Sequence, residues 1–134
     1  MNPASHSLTI HDATTLGDDR PVFVLDFLTE RITVRELIRR RVYQDVKDYN
    51  AAQTDIFYGL VKPTEAEQQL NGYKLKQPRR IDWEAQVEKA IEAFDRNGFI
   101  VLIGEQQAET LEEEIVIRPG LSITFLKLMP LVGG

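Results

Sequence analysis

Between Val34 and Tyr49 the apolar residues Val34, Leu37, Ile38, Val42, Val46 and Tyr49 recur at steps of three and four, so a helix gathers them on one stripe. Thr33-x-x-Glu36 marks its start: the threonine hydroxyl accepts from the third helical amide and the glutamate reaches back to the cap. Such a stripe must be buried, and the preceding segment offers a sheet to bury it. Leu8, Ile10 and Ala13 alternate with polar neighbours, Gly17-Asp18-Asp19 supplies a turn before Pro21, and Val22 to Leu28 is β-branched and aromatic. Val22, Val24 and Asp26 fall on one face of that second strand, and Phe23, Leu25 and Phe27 on the other. The pattern predicts a hairpin followed by a helix whose stripe faces it, with Arg35, Arg39, Arg40 and Lys47 largely off the stripe.

Asn50 to Pro78 shows no clear period. Phe57-Tyr58-Gly59-Leu60-Val61 is apolar, and Glu65 to Gln69 is polar and reads as a helical turn or a loop. A second helix opens at the N-cap Asp82, carries Trp83, Val87, Ala90, Ile91 and Phe94 at helical spacing, stops at Asn97-Gly98 and should pack across the core. Phe99 to Ile103 is an unbroken apolar strand, Gly104-Glu105 turns the chain, and Gln106 to Ala108 gives a short returning strand. Leu111 to Ile117 is compact and acidic. Arg118-Pro119-Gly120 predicts a sharp turn into a last strand, Leu121 to Leu128, with Leu121, Ile123 and Phe125 facing inward. Strands, a crossing helix and further strands make an α+β fold. A right-handed crossover joining strands two and three in parallel would lay the helix on one face and leave the other for partners.

At 134 residues the chain fits one domain, and 43% hydrophobic with 28% charged residues is a folding composition. The net charge of −5 argues against binding nucleic acid or an anionic membrane with the whole surface, since counterion release needs clustered cations. The absence of cysteine removes disulfides, thiolate metal sites and cysteine nucleophiles. Met1 to Ser7 lacks the basic start and apolar core of a signal peptide, and no apolar run approaches membrane-spanning length. A cytoplasmic protein without membrane association is expected.

The order of elements and the ending together resemble the ubiquitin-like β-grasp family, a mixed sheet with a crossing helix. Phe99-Ile-Val-Leu-Ile-Gly104-Glu105-Gln106-Gln107 resembles the strand, glycine turn and short strand in the second half of ubiquitin, and Thr110-Leu111-Glu112 the stretch that follows. Ile123 to Leu128, then Met129-Pro130-Leu131-Val132-Gly133-Gly134, is similar to the ending of the sulfur carriers of molybdopterin and thiamine synthesis. The resemblance covers about residues 8 to 49 and 99 to 134. Residues 50 to 97 depart from it as a partly helical insertion between the first helix and the third strand, an insertion better accommodated by a divergent prokaryotic ubiquitin-like modifier. The resemblance implies a single domain over 1 to 134 with a tail at 129 to 134. It also implies that the chain is no enzyme but the substrate of an ATP-dependent activating enzyme. A conjugating enzyme, a deconjugating protease and a target protein would be further partners. ATP and magnesium would be used by the activating enzyme, with no cofactor held by this chain.

The chemistry of such an ending is readable in its residues. A carboxylate is a poor acyl donor, and joining it to AMP supplies the leaving group that a thiol, sulfide or amine displaces. Glycine at 133 and 134 lets backbone enter a narrow channel close to nucleotide phosphates. Pro130 removes a ladder donor and should release the tail from the sheet, leaving Leu131 and Val132 to anchor in a groove of the activating enzyme. Three functions follow: a modifier transferred to a thiol and then an amine, a sulfur carrier ending in a thiocarboxylate, or a non-covalent interaction module. The apolar Phe57, Tyr58, Leu60 and Val61 could cover the sheet at one edge or meet another subunit, and so form a candidate partner surface.

Other candidates carry less. His6 and His11 lie on opposite faces of a strand, which does not suit a shared metal, and no metal site is expected. Glu112-Glu113-Glu114 reads as a solvated turn. Arg39-Arg40-Arg41 and Arg79-Arg80 read as a helical face and a loop, with docking of an acidic partner as the alternative. Trp83 and Phe94 read as core. No phosphate-binding loop, serine elbow or zinc spacing occurs.

Overall fold

The computed structural model describes residues 6–15, 20–52, 56–68, 72–75 and 79–128. Strands β1 (His6–Thr14) and β2 (Arg20–Phe27) pair antiparallel, since the few residues between them are too short for a parallel crossover. Leu8 and Ile10 of β1 and Leu25 of β2 are fully buried, whereas Val22 and Val24 are each 57% exposed on the opposite face. A short β3 (Arg31–Thr33) leads into α1 (Val34–Ala52). The capping box forms: Glu36 N donates to Thr33 Oγ1 at 3.1 Å, and Thr33 N donates to Glu36 Oε1 at 3.3 Å. All six apolar residues of the α1 stripe are buried.

The segment that follows α1 packs against its last turns. Strands β4 (Ile56–Phe57), β5 (Ala66–Gln68) and β6 (Tyr73–Leu75) form a small antiparallel sheet in the order β4-β6-β5. The polar stretch from Glu65 is therefore a strand at 66 to 68 and not a helical turn or loop. Its three residues are too few for a period to show: Ala66 turns inward and Glu67 faces solvent. Phe57 packs edge-on against Tyr49 of α1, with ring centroids 5.6 Å apart. A Cβ at Gly59 would run into the Phe57 ring, so this glycine lets the ring fold back over the chain.

Helix α2 (Trp83–Asp95) follows, with Asp82 Oδ1 accepting from Glu84 N at 3.1 Å. It ends where Asn97 adopts a φ of 59° and Gly98 N donates to Ala93 O at 2.7 Å. Ala90 and Phe94 are buried against the core, and Gln86, also buried, donates to Val61 O at 3.2 Å. The last strands are β7 (Phe99–Ile103), β8 (Gln106–Gln107), β9 (Glu114–Val116) and β10 (Ser122–Lys127).

The main sheet has the order β2-β1-β10-β7-β8, so the strand formed last in sequence lies in the middle. β1 and β10 are parallel, and the other neighbours in this sheet are antiparallel. Strands two and three of the sequence reading, β2 and β7, therefore do not pair in parallel. They flank the β1–β10 pair. Leu111 to Ile117 contains β9, which pairs antiparallel with β3 and buries Ile115. At Gly120 the backbone takes a φ of 84°, closing the turn into β10. The fold is α+β, with one mixed sheet and two helices. Among the described residues no helix is long and apolar enough to cross a membrane.

Arg41 corrects the reading of Arg39-Arg40-Arg41 as one helical face. Position 41 falls between Ile38 and Val42 on the buried stripe, and its side chain is 0% exposed. Nη2 donates to Asp12 Oδ2 at 2.6 Å, Nη1 donates to Asp12 Oδ1, and Nε donates to Asp45 Oδ2 at 3.0 Å. The guanidinium carbon sits 4.6 Å from the Phe125 ring centroid and 5.3 Å from that of Phe23. Burial disfavours the charge, but Asp45 and Asp12 outweigh it and hold the guanidinium pKa above its ordinary value. One side chain thus ties α1 to β1 and β10.

Arg41→Met should lower the unfolding free energy in urea by about 3–5 kcal/mol, because two carboxylates are left enclosed. Adding Asp12→Leu and Asp45→Leu should restore most of the loss; a single variant as stable as the parent would overturn this account of the triad. Gly59→Ala should cost about 1–3 kcal/mol by overpacking against Phe57, measured in the same urea titration.

Candidate functional site

Three regions are candidates for chemistry or recognition, and the first is the end of β10. Ile123 and Phe125 are fully buried, and the strand is hydrogen-bonded along both edges. Its last residue, Lys127, lies opposite Thr14 of β1 and Phe99 of β7, and Thr15 N donates to Lys127 O at 3.1 Å. Leu128, at 39% exposure, is the last described residue. Pro130, Leu131, Val132, Gly133 and Gly134 lie outside the described residues. A force applied beyond Leu128 is therefore borne by the two neighbouring ladders and by Arg41 stacked on Phe125.

The second region is the acidic loop before β9, which does more than turn in solvent. Val34 N and Arg35 N, in the first turn of α1, donate to Glu113 O at 3.0 Å and Leu111 O at 2.9 Å. Arg35 Nη2 donates to Glu112 Oε1 at 2.8 Å, and Arg31 faces Glu114 at 3.5 Å. Glu113 Oε1 accepts from Glu109 N at 3.1 Å. The loop thus supplies acceptors and negative charge to a helix N-terminus, where both are favoured. The hydrogen bond from Arg35 pulls the Glu112 carboxyl below its usual range.

The third region is a groove between α1 and α2 built on Trp83. Tyr43 meets Trp83 edge-on with centroids 5.3 Å apart, Arg39 lies over the Trp83 ring at 5.3 Å, and Lys47 lies over the Tyr43 ring at 5.9 Å. Arg39, Tyr43 and Lys47 are spaced by four along α1 and share its outward side. A cavity of about 470 Å³ opens beside Arg39, Arg40, Phe27 and Glu36, and one of about 420 Å³ beside Lys47, Asn50 and Arg80; Tyr43 and Trp83 line both. Trp83 is half-buried, so it is neither purely core nor purely surface.

The apolar run offered as a partner surface is mostly interior. Phe57 is 1% exposed against Tyr49 of α1, Leu60 is 5% exposed, and Val61 is partly buried against the core, its carbonyl accepting from Gln86 of α2. Tyr58 alone stays open, at 40%. His6 and His11 fall on opposite faces of β1, and among the described residues no group of three potential ligands gathers for a metal. Arg79 donates to Thr64 O, while Arg80 is exposed beside the groove. Phe94 is buried beside Phe99.

Comparison with protein-family models, with characterised proteins and with solved structures finds no match. The site residues must therefore be argued from their own geometry. Two features escaped sequence reasoning: the buried triad and the aromatic-cation groove. Each left a signal, since Arg41 and Asp45 sit on the apolar stripe and Arg39, Tyr43 and Lys47 share one helical spacing.

Glu112 should titrate below its ordinary 4.5 when followed by carboxyl-carbon NMR. Its pairing with Arg35 should be complete above that value and lost as pH falls through the lowered one. Arg35→Gln should move the Glu112 midpoint back up; an unmoved midpoint would remove Arg35 as the cause.

Proposed function

We propose that this chain is a ubiquitin-like β-grasp modifier whose Gly134 carboxylate is the group that reacts. The observation that carries the reading is the central place of β10, parallel to β1 and running toward the Pro130 to Gly134 segment. The sheet order β2-β1-β10-β7-β8 with α1 crossing one face supports the β-grasp assignment. The insertion at residues 50 to 97 packs against the helical side and leaves Val22 and Val24 open on the other side of the sheet.

In this proposal the terminal carboxylate attacks the α-phosphorus of ATP in the active site of an activating enzyme, forming an acyl-adenylate and releasing pyrophosphate. A thiolate of that enzyme displaces AMP to give a thioester, a conjugating enzyme accepts the acyl group on its own thiol, and an amine of the target displaces that thiol. This chain supplies an acyl group on a slim backbone, with glycine giving close access to the reacting carbonyl. ATP, magnesium and the proton transfers belong to the partner enzyme. A deconjugating protease would reverse the link, and the cytoplasm is the proposed compartment. A second reading, a sulfur carrier, is favoured by Pro130, Leu131 and Val132 ahead of the glycines. There, sulfide equivalents displace AMP and leave a thiocarboxylate.

Intact-mass spectrometry of protein recovered from its native cells should find a form ending at Gly134 joined through an isopeptide bond to other proteins. A gain of about 16 Da on the free chain, oxygen replaced by sulfur, would instead establish the carrier. Deleting Gly134 or adding one residue after it should abolish either product, and an unchanged yield of adducts after that deletion would sink both readings.

A further inference from the structure

The Trp83 groove is a second recognition surface that the acyl-donor reading does not use. We propose that it binds a short acidic peptide segment of a partner protein, with an apolar residue seated on Tyr43 and Trp83 and carboxylates held by Arg39, Lys47 and Arg80.

Charge complementarity carries the choice of occupant. The chain as a whole is acidic, at −5, yet these three exposed cations converge on one aromatic pair. Among the described residues no carboxylate pairs with any of the three. Arg39 is pre-organised rather than loose, because its guanidinium rests on the Trp83 ring. Among the described residues no ion pair occupies its N–H groups, which a carboxylate fork could engage. Lys47 is steadied over Tyr43 in the same way.

One turn earlier on the same side of α1, the protein shows how a carboxylate sits on this stripe. Arg35 holds Glu112 at 2.8 Å although both side chains are more than half exposed. Arg39, Tyr43 and Lys47 continue that line without a carboxylate of their own, and the two depressions beside them give room for side chains on either side of the aromatic pair.

The surroundings favour a short peptide over nucleic acid. Glu36 lines one depression, and Glu84 and Asp82 lie beyond Arg80 at the other end, so the positive region is bounded on both sides. A continuous run of phosphates would meet those carboxylates and the net negative field of the protein. A peptide can place two or three carboxylates over the cations and a neutral apolar side chain over the rings, where aromatic residues supply much of the affinity of a small interface.

Trp83 is the only tryptophan, so its emission reports on the groove directly. The full chain is titrated at low salt with the blocked peptide Glu-Asp-Phe-Leu-Glu-Asp, with the same peptide carrying lysine at its acidic positions, and with a short oligothymidylate. The acidic peptide should shift Trp83 emission saturably, and the lysine peptide should not. Calorimetry of the Arg39→Gln/Lys47→Gln variant should show affinity for the acidic peptide weakened by about tenfold or more, with the thermal midpoint lowered by no more than several degrees, since both side chains are exposed and only their ring contacts are lost. No saturable shift with the acidic peptide, an equal response to the lysine peptide, or tighter binding of the oligothymidylate would each overturn the proposal. None of these results depends on Gly134, so failure here leaves the acyl-donor reading standing.

Discussion

A fully enclosed charge has to be answered at short range, and Arg41 is answered from two elements at once. Asp12 comes from β1 and takes both terminal nitrogens, while Asp45 lies one helical turn away on α1 and takes Nε. Phe125 of β10 and Phe23 of β2 close over the guanidinium. A greasy contact would tolerate a helix shifted by a fraction of a turn, but a bidentate pair would not. The triad therefore fixes the register of α1 on the sheet, beyond the general attraction of its apolar stripe. Ion pairs of this kind are poor sources of net stability, since desolvation consumes most of their attraction. Their contribution is to make alternative packings of the same stripe costly.

That register matters because the main sheet is assembled from distant parts of the chain. β10 inserts between β1 and β7, so the sheet is incomplete until the last strand arrives. α1 has to be seated where its stripe covers Ile123 and Phe125 as well as the hairpin. The short β3–β9 pair and the acidic loop hold the other end of the same helix through its first-turn amides. Helix α1 is thus secured at its middle by charge and at its start by backbone acceptors. The inserted β4–β6 sheet and α2 can then be added on its outer flank without altering the strand order beneath.

What could be read in advance divides along the distance over which the signals act. The Thr33–Glu36 box, the Asp82 cap, the Asn97-Gly98 stop and the Phe99–Ile103 strand depend on neighbours within a few residues, and each formed where its letters indicated. The pairing of β10 with β1 joins Ile10 to Ile123, and no local period reports a partner that far away. β3, β5 and β9 are three residues each, too short for alternation to show. Arg41 was hidden for another reason: in a run of three arginines its letter suggests surface, while its position suggests core. Position was the better guide, and Asp45 four residues on was the confirming letter. Phe57 and Leu60 misled in the opposite sense, because an apolar run in an undecoded segment can be interior once a small sheet forms around it. For the candidate site, the tail lies outside the described residues, and the groove was not legible, since Trp83 meets Tyr43 only through the packing of α2 on α1.

The groove and the end of β10 place different demands on the fold, and the arrangement keeps them apart. Arg39, Tyr43 and Lys47 project from the side of α1 away from the stripe that covers the sheet, so an occupant resting there meets the two helices and Phe27 of β2 and not the β10 ladders. The end of β10 depends on those ladders and on Phe125 beneath Arg41. A partner seated on Trp83 thus leaves intact the contacts that hold β10 in place. Without α2 there would be no Trp83 for Arg39 to rest on and no second wall for the groove. Helix α2 is therefore what completes the groove, and the groove and the end of β10 occupy separate parts of the structure.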